Sequence, residues 1–250
     1  MLILLPPSET KRAGGSHRPL DVGGLALPAL APQREAAIDA MVALSADAEA
    51  ARRVLKLGAT QADEASVNTA LRTGPTLPAV DRYTGVLFDA LNAASLDGSA
   101  RRWLAAHVLV HSAPFGPVGA LDRIPAYRLG AAASVPGLPP LRRLWADAVS
   151  AALGESSSFV LDLRSEAYVA LGPVPASVPT AYVRVVTEVE GGAVRALNHF
   201  NKHAKGAFVR ALALARPRVS TLAGMLRWAD DAGWTLRHAR GSRSVDLVAK

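Results

Sequence analysis

MLILLPPSETK, residues 1–11, is the stretch that decides the fold class. Residues 2–5 form an unbroken apolar run, the pattern of a strand buried on both faces rather than one that alternates between core and water. Pro6-Pro7 ends the run, because proline has no N–H to give to a sheet ladder. Strands covered on both faces belong to α/β sheets, and open sheets of that kind hold ligands beyond the carboxyl ends of their strands. Ser8, Glu9, Thr10 and Lys11 occupy that position by chain order alone.

The same signals recur outward from this strand. Residues 108–110 and 159–163 are further core strands, and the second again ends in a polar cluster: Arg164, Ser165, Glu166 and Tyr168. Residues 181–189 alternate strongly and meet Gly191-Gly192, which predicts a β-hairpin with residues 194–198. Helical patterns cover 86–91, 97–106, 141–153 (with Trp145 on the apolar side) and 222–232, and residues 244–248 read as a terminal strand. Proline-rich loops at 114–125, 136–140 and 173–179 separate them. Strands and helices are interspersed without a regular repeat. The expected fold is therefore α/β: a single domain over 1–250 with a mixed β-sheet flanked by helices.

Residues 33–71 are helical and alanine-rich, with a capping signal at Ser45-Ala46-Asp47 and a stop at Gly58. Two helices meeting at Gly58-Ala59-Thr60 fit two descriptions. One is a helix-hairpin-helix, which grips the DNA backbone through main-chain amides; the other is an ordinary packed pair. A typical hairpin carries two glycines, and here only Gly58 is present. The glycine-rich stretch at 14–24 lacks the GxxxxGK[ST] spacing, which excludes a P-loop.

Residues 198–216 read NHFNKHAKGAFVRALALAR. At about 100° per residue, Phe200, Ala204, Ala207, Phe208, Ala211 and Leu214 share one face of a helix. His199, Lys202, His203, Lys205 and Arg210 share the other, with Gly206 among them. A glycine within a helix costs about 1 kcal/mol relative to alanine. Either an anion approaches the backbone at Gly206 where a side chain would block it, or the face is solvated and the glycine incidental.

With 250 residues, half of them apolar and 20% charged, the chain can bury a substantial core. A net charge of +7 and a pI near 10.2 favour an anionic partner, nucleic acid or nucleotide ahead of a membrane surface. No cysteine is present, which excludes disulfides, thiolate metal sites and cysteine nucleophiles. The amino terminus lacks the basic leader and cleavage site of a signal peptide, and no apolar run is long enough to span a membrane; the expected location is the cytoplasm.

Phe200 stands where the HExxH zinc motif needs its glutamate, and Lys202 and Lys205 would repel a cation, so His199 and His203 are not read as metal ligands; neither a metal nor a cofactor is expected. No GxSxG elbow occurs. Asp162 and Glu166 form a conceivable carboxylate pair, with structural hydrogen bonding the favoured reading. Lys11, Lys202 and Lys205 are candidates for a cluster in which crowded ammonium groups depress one another's pKa. Such a cluster suits an amine nucleophile and a phosphate grip equally.

Several stretches together resemble the peroxide stress protein YaaA family. They are MLILLPPSETK at the start, RYTGVLFDAL from Arg82, HSAPFG from His111, DRIPAYRL from Asp122, LRRLWADAV from Leu141, DLRSEAY from Asp162 and NHFNKHAKGAFVRAL from Asn198. They follow family order along almost the whole chain. The resemblance implies a positively charged cleft, a helix-hairpin-helix within 34–71, DNA binding, and protection against hydrogen peroxide, partly by lowering free iron. It places Lys11, Arg82, Tyr83, Tyr127, Arg128, Lys202, Lys205 and Gly206 around the cleft, and Arg210 joins them from the basic helical face. After Phe115-Gly116 the family has a basic residue in a hydrophobic-Arg-Pro run, whereas this chain reads Pro117-Val118-Gly119-Ala120-Leu121.

Two functions are consistent with these residues. The first is a stress protein that binds duplex or damaged DNA through its backbone, with lysines and arginines on phosphates and tyrosines stacking on an exposed base. The second is an enzyme acting on a nucleotide, nucleoside or damaged DNA by N-glycosidic or lyase-type chemistry, with Lys11, Glu166 and Lys202 as catalytic candidates.

Overall fold

The computed structural model describes residues 1–58, 62–155, 159–188, 194–195, 198–239 and 241–249, with main chain only at 62–63, 188, 194–195 and 198–200. The Gly191-Gly192 turn and the Ala59-Thr60 part of the helix junction lie outside the described residues, as do the side chains of His199 and Phe200. In chain order the elements begin with β1 (Leu2–Leu5), α1 (Ala31–Ser45), α2 (Ala48–Val54), α3 (Ala62–Ser66), β2 (Thr76–Pro78), α4 (Ala79–Arg82), α5 (Val86–Leu91) and α6 (Gly98–His107). Next come β3 (Val108–Ser112), β4 (Gly116–Gly119), β5 (Arg123–Pro125), α7 (Leu141–Gly154), β6 (Val160–Asp162) and α8 (Glu166–Val169). The chain closes with β7 (Thr180–Glu188), β8 (Val194–Arg195), α9 (Asn198–Ala215), α10 (Leu222–Asp231), β9 (Leu236–His238) and β10 (Ser244–Ala249).

The main sheet is eight-stranded, in the order β4-β3-β1-β6-β7-β10-β9, with β8 added beside β7. Strands β3, β1, β6, β7 and β10 are mutually parallel. Strands β4, β8 and β9 pair antiparallel at its margins, so the sheet is mixed. Successive strand residues point to opposite faces, and Ile3, Leu4 and Leu5 are all completely buried, so both faces of β1 are covered. Helix α6 packs on β1, α9 crosses β7 and β10, and α7 lies on β4. The chain is thus a single α/β domain with a mixed sheet flanked by helices.

Three elements depart from the sequence reading. Within the expected loop at 114–125, β4 joins the sheet and β5 pairs with β2 in a separate two-stranded ladder. Pro117 is tolerated because β4 is an edge strand. The tight entry to β4 uses Gly116 at φ 61, where a Cβ would lie 2.9 Å from the Trp145 ring. A basic residue of α1 holds this edge from inside the core, where it cannot border a cleft. Arg34, fully buried, donates from Nε to the Phe115 carbonyl at 2.9 Å and from Nη2 to those of Ala26 and Pro117 at 2.6 and 3.0 Å.

Helix α9 is also buried along a different arc from the one its spacing predicts. Ala204, Phe208, Val209, Leu212 and Ala213 are buried, whereas Leu214 is 48% exposed. The cause is a second neighbour: α9 packs on α5 as well as on the sheet, and Gly206 lies at the α5 contact. A Cβ on Gly206 would stand 2.0 Å from the Leu87 carbonyl oxygen. The glycine is there so that two helices can approach, and no anion reaches its backbone from that side.

Candidate functional site

From β1 the chain passes to β3 on one side, and β6 later pairs with β1 on the other. A crevice opens where the direction of winding reverses, beyond the carboxyl ends of the strands. A cavity of about 330 Å³ occupies this place, with Pro7, Ser8, Glu9 and Lys11 entering from the segment after β1 and Ala167 and Tyr168 from α8 after β6. Leu55, Arg128, Leu129 and the small residues Gly130, Ala131 and Ala132 complete it. Its volume is that of a small-ligand site.

Lys11 is the chemical centre of this cavity. Its Nζ donates to the carbonyls of Ser8 and Glu9 at 3.0 and 3.1 Å. It stands 4.0 Å from the centroid of the Tyr127 ring and 5.5 Å from that of Tyr83. Carbonyl oxygens and ring faces favour the ammonium. Burial opposes it, the Arg128 charge adds to that opposition, and together they bring the pKa from 10.5 down to about 7. Arg128 is fixed at the mouth by Asn68, whose side chain accepts from the Arg128 N–H at 2.8 Å and donates to its carbonyl at 3.0 Å. The guanidinium sits 3.4 Å from Glu64.

Tyr83 and Tyr127 share a hydroxyl–hydroxyl hydrogen bond of 2.8 Å. They are 2% and 3% exposed, too deep to stack on a nucleobase. Burial raises both phenols above their ordinary range, so they remain protonated. Their part is to form the aromatic floor under Lys11, which corrects the expected stacking role.

The other expected cleft residues divide sharply. Arg82 is completely buried, and its donors are spent on main chain: Nε on the Ile124 carbonyl at 3.1 Å, Nη2 on those of Gly14 and Pro75 at 3.0 and 2.9 Å, and Nη1 on that of Arg12. It staples the loop after β1 to the core and has no free edge for a phosphate. Arg210 donates from Nη1 to the Leu91 and Asn92 carbonyls, both at 3.0 Å, closing the carboxyl end of α5. Lys205 reaches the Leu163 carbonyl at 2.8 Å, at the end of β6; burial lowers its pKa to about 8 while Asp162 pulls the other way. Lys202 and His203 are exposed on α9. Lys11 and Arg128 are thus the expected residues that meet in the cavity, and Lys202, Lys205, Arg82, Gly206 and Arg210 do not line it.

Glu166 lines a second recess of about 490 Å³, with Arg142, Asp147 and Tyr182, on the other side of α8 from Lys11. Asp162 is 4% exposed and engaged as a structural partner: Arg164 donates to it from Nε at 2.9 Å and from Nη2 at 2.7 Å. Arg164 Nη1 also donates to His111 Nδ1 and to the Gly172 carbonyl, both at 2.9 Å. Burial first, then the Arg164 charge, keeps His111 neutral. The hydrogen-bonded Asp162–Arg164–His111 network was not foreseen as a unit; its sequence signals were the polar cluster after an apolar strand and the DLRSEAY and HSAPFG stretches. Among the described residues no group of three or more His, Cys, Asp or Glu converges as a metal site, and no helix is long and apolar enough to cross a membrane.

Comparison with known proteins places the whole arrangement in a family. A family model described as peroxide stress protein YaaA matches residues 1–240. A UPF0246 protein of Corynebacterium efficiens is 42% identical over 250 residues, covering 98% of each chain. One from Corynebacterium glutamicum is 42% identical over 237 residues, 93% of each chain. One from Streptomyces coelicolor is 44% identical over 219 residues, 85% of this chain and 82% of its own. The chain belongs to the peroxide stress protein YaaA family.

Proposed function

We propose that this protein serves the peroxide stress response in the cytoplasm by binding damaged DNA and holding one extruded unit of the strand in the Lys11 cavity. The observation that carries the reading is the meeting of Lys11 and Arg128 in a recess of about 330 Å³. That size suits a single nucleotide-sized unit and not a duplex, and enzymes that act on one unit of DNA take it out of the stack. Backbone contacts would come from the rim: Leu55 lines the recess, Lys56 beside it is exposed, and so is Arg53 two residues before, which pairs with Glu49 at 2.9 Å. The same segment leads into the junction of α2 and α3, where a helix-hairpin-helix would place main-chain amides against phosphates. Arg12, exposed beside Lys11 in the chain, extends the basic border.

Fluorescence anisotropy across a salt series tests this on intact, mismatched and abasic duplexes, single strands and free nucleotides. The expected slope of log affinity against log salt is about −4 to −5 on duplex, for about four to six phosphates neutralised. Duplex with an abasic or mismatched site should bind more tightly than intact duplex, and Lys11→Met or Arg128→Ala should erase that difference. Binding indifferent to salt, or no preference for the damaged site, would count against the proposal.

A second reading draws on the size of the cavity, about 330 Å³, which suits a free phosphorylated ligand as well as an extruded residue. In that case free nucleotides, and not DNA, compete for Lys11.

A further inference from the structure

We propose that Lys11 is an amine nucleophile that forms an imine with the aldehyde of a phosphorylated sugar, either free or as the ring-opened abasic residue of DNA. The proposal deepens the reading above and rests on it for the choice of ligand. Lys11 is set up differently from a lysine that merely carries charge. Its hydrogen bonds go to two neutral carbonyls, those of Ser8 and Glu9, and its Nζ lies over the Tyr127 ring at the wall of a cavity. A neutral amine with both N–H groups on those carbonyls has its lone pair as its one free valence. The charged groups that bear on it are Arg128 and Arg82, which disfavour the ammonium, and Glu9 and Glu64, which favour it; burial outweighs all of them, and at pH 7 a large fraction of the amine is neutral.

The chemistry balances within the cavity. The Nζ lone pair attacks the carbonyl carbon and forms the C–N bond, and the carbonyl π pair takes up a proton to give a carbinolamine. Nitrogen then gives up one proton, the hydroxyl takes up a second and leaves as water, and a protonated imine remains, which becomes the neutral imine when nitrogen releases its last proton. Proton donors and acceptors line the same space: the Glu9 carboxyl, and the Tyr168 phenol, held protonated by burial and then by Glu9. Arg128 supplies the positive charge for the phosphate that marks this class of aldehyde.

The test is reductive trapping. The full chain is incubated with sodium borohydride and one of three probes: 2-deoxyribose 5-phosphate, unphosphorylated glyceraldehyde, or a duplex carrying one abasic site. Adducts are located by peptide mass spectrometry, and duplex binding is measured separately by anisotropy without reductant. The expected adduct lies on Lys11 and forms at pH 7 at least about a hundredfold faster than on a lysine in a model peptide, whose amine titrates near 10.4. Its rate rises through about pH 7 and then levels. Lys11→Met abolishes it, and so does Lys11→Arg, which keeps the charge; circular dichroism establishes that each variant is folded. Arg128→Ala slows trapping of the phosphorylated probes more than that of glyceraldehyde, which it slows only through the rise in the Lys11 pKa that follows loss of the Arg128 charge. Adducts spread over the lysines, or a rate still climbing above pH 9, would overturn the proposal. Duplex binding without a Lys11 adduct overturns the imine and leaves the DNA reading intact. A Lys11 adduct with deoxyribose phosphate and no duplex binding does the reverse.

Discussion

Lys11 Nζ stands 4.0 Å from the centroid of the Tyr127 ring, so the half-buried amine of the loop after β1 rests on an aromatic face. The ring is itself held by the 2.8 Å hydrogen bond between the Tyr127 and Tyr83 hydroxyls and by an edge contact to Phe115 at 5.4 Å. Tyr127→Phe keeps the face but leaves the Tyr83 hydroxyl short of a partner. It should cost about 1–2 kcal/mol in urea unfolding with the Lys11 titration unmoved. Tyr127→Leu removes the face, and the Lys11 pKa should then fall by up to about one unit below the wild-type value.

The lysines give stability a definite pH dependence. Lys11 titrates at about 7 in the folded chain and 10.5 when unfolded, so between these values the unfolded chain binds more protons. Stability is therefore lowest below pH 7 and climbs as pH rises toward 10.5, with a slope of at most about 1.4 kcal/mol per pH unit, reduced by solvent screening. Lys205, at about 8, adds to the rise above pH 8. Urea unfolding at pH 6.5, 7.5 and 8.5 should show the climb in the wild type, with the part between 7 and 8 absent in Lys11→Met. A wild-type curve that falls over this interval would contradict the assignment.

Arg164 holds Asp162 beneath α8, at the end of β6. Arg164→Leu leaves a carboxylate that is 4% exposed without its cation and removes the donor to His111 and Gly172. The expected loss is about 3–5 kcal/mol of stability, and the double substitution with Asp162→Leu should recover part of it, because no unpaired charge is left behind. Equal losses in the single and double variants would show that the pair does not act as a unit.

Gly206→Ala separates packing from ligand access. Alanine would gain about 1 kcal/mol of helix propensity, but its methyl would stand 2.0 Å from the Leu87 carbonyl, forcing α9 away from α5. Overpacking of this kind costs about 1–3 kcal/mol, so a net lowering of the melting temperature is expected, with DNA affinity per folded molecule unchanged. A variant that is stable but no longer binds DNA would return Gly206 to the binding surface.

The elements that were legible in the residues are those whose burial is continuous along the chain. Residues 2–5 and 108–110 are apolar without alternation, and 159–163 departs from that only at Asp162, because parallel partners and helices cover both faces, and each proved to contain a core strand. The proline-containing β4 was illegible, since its pairing with β3 is set by tertiary contact and not by propensity. The functional residues divide in the same way. Lys11 was legible from its place after the first strand. Arg34, Arg82, Arg164 and Arg210 were not separable from surface arginines, because an arginine that bonds inward to carbonyls leaves no mark in composition. For α9, a single helical wheel assumes one buried side, and the second contact to α5 moved Gly206 into the packed side and Leu214 out.

The most direct test of the account is the titration of Lys11 itself, followed by NMR of the lysine side chains labelled at Cε, with and without a phosphorylated ligand. A midpoint near 7 in the free protein is expected, moving upward when 2-deoxyribitol 5-phosphate, which has the phosphate but no aldehyde, is bound and an anion joins the cavity. A midpoint above 10 that ignores the ligand would mean that Lys11 is an ordinary solvated lysine and that the cavity beyond β1 and β6 is not the site.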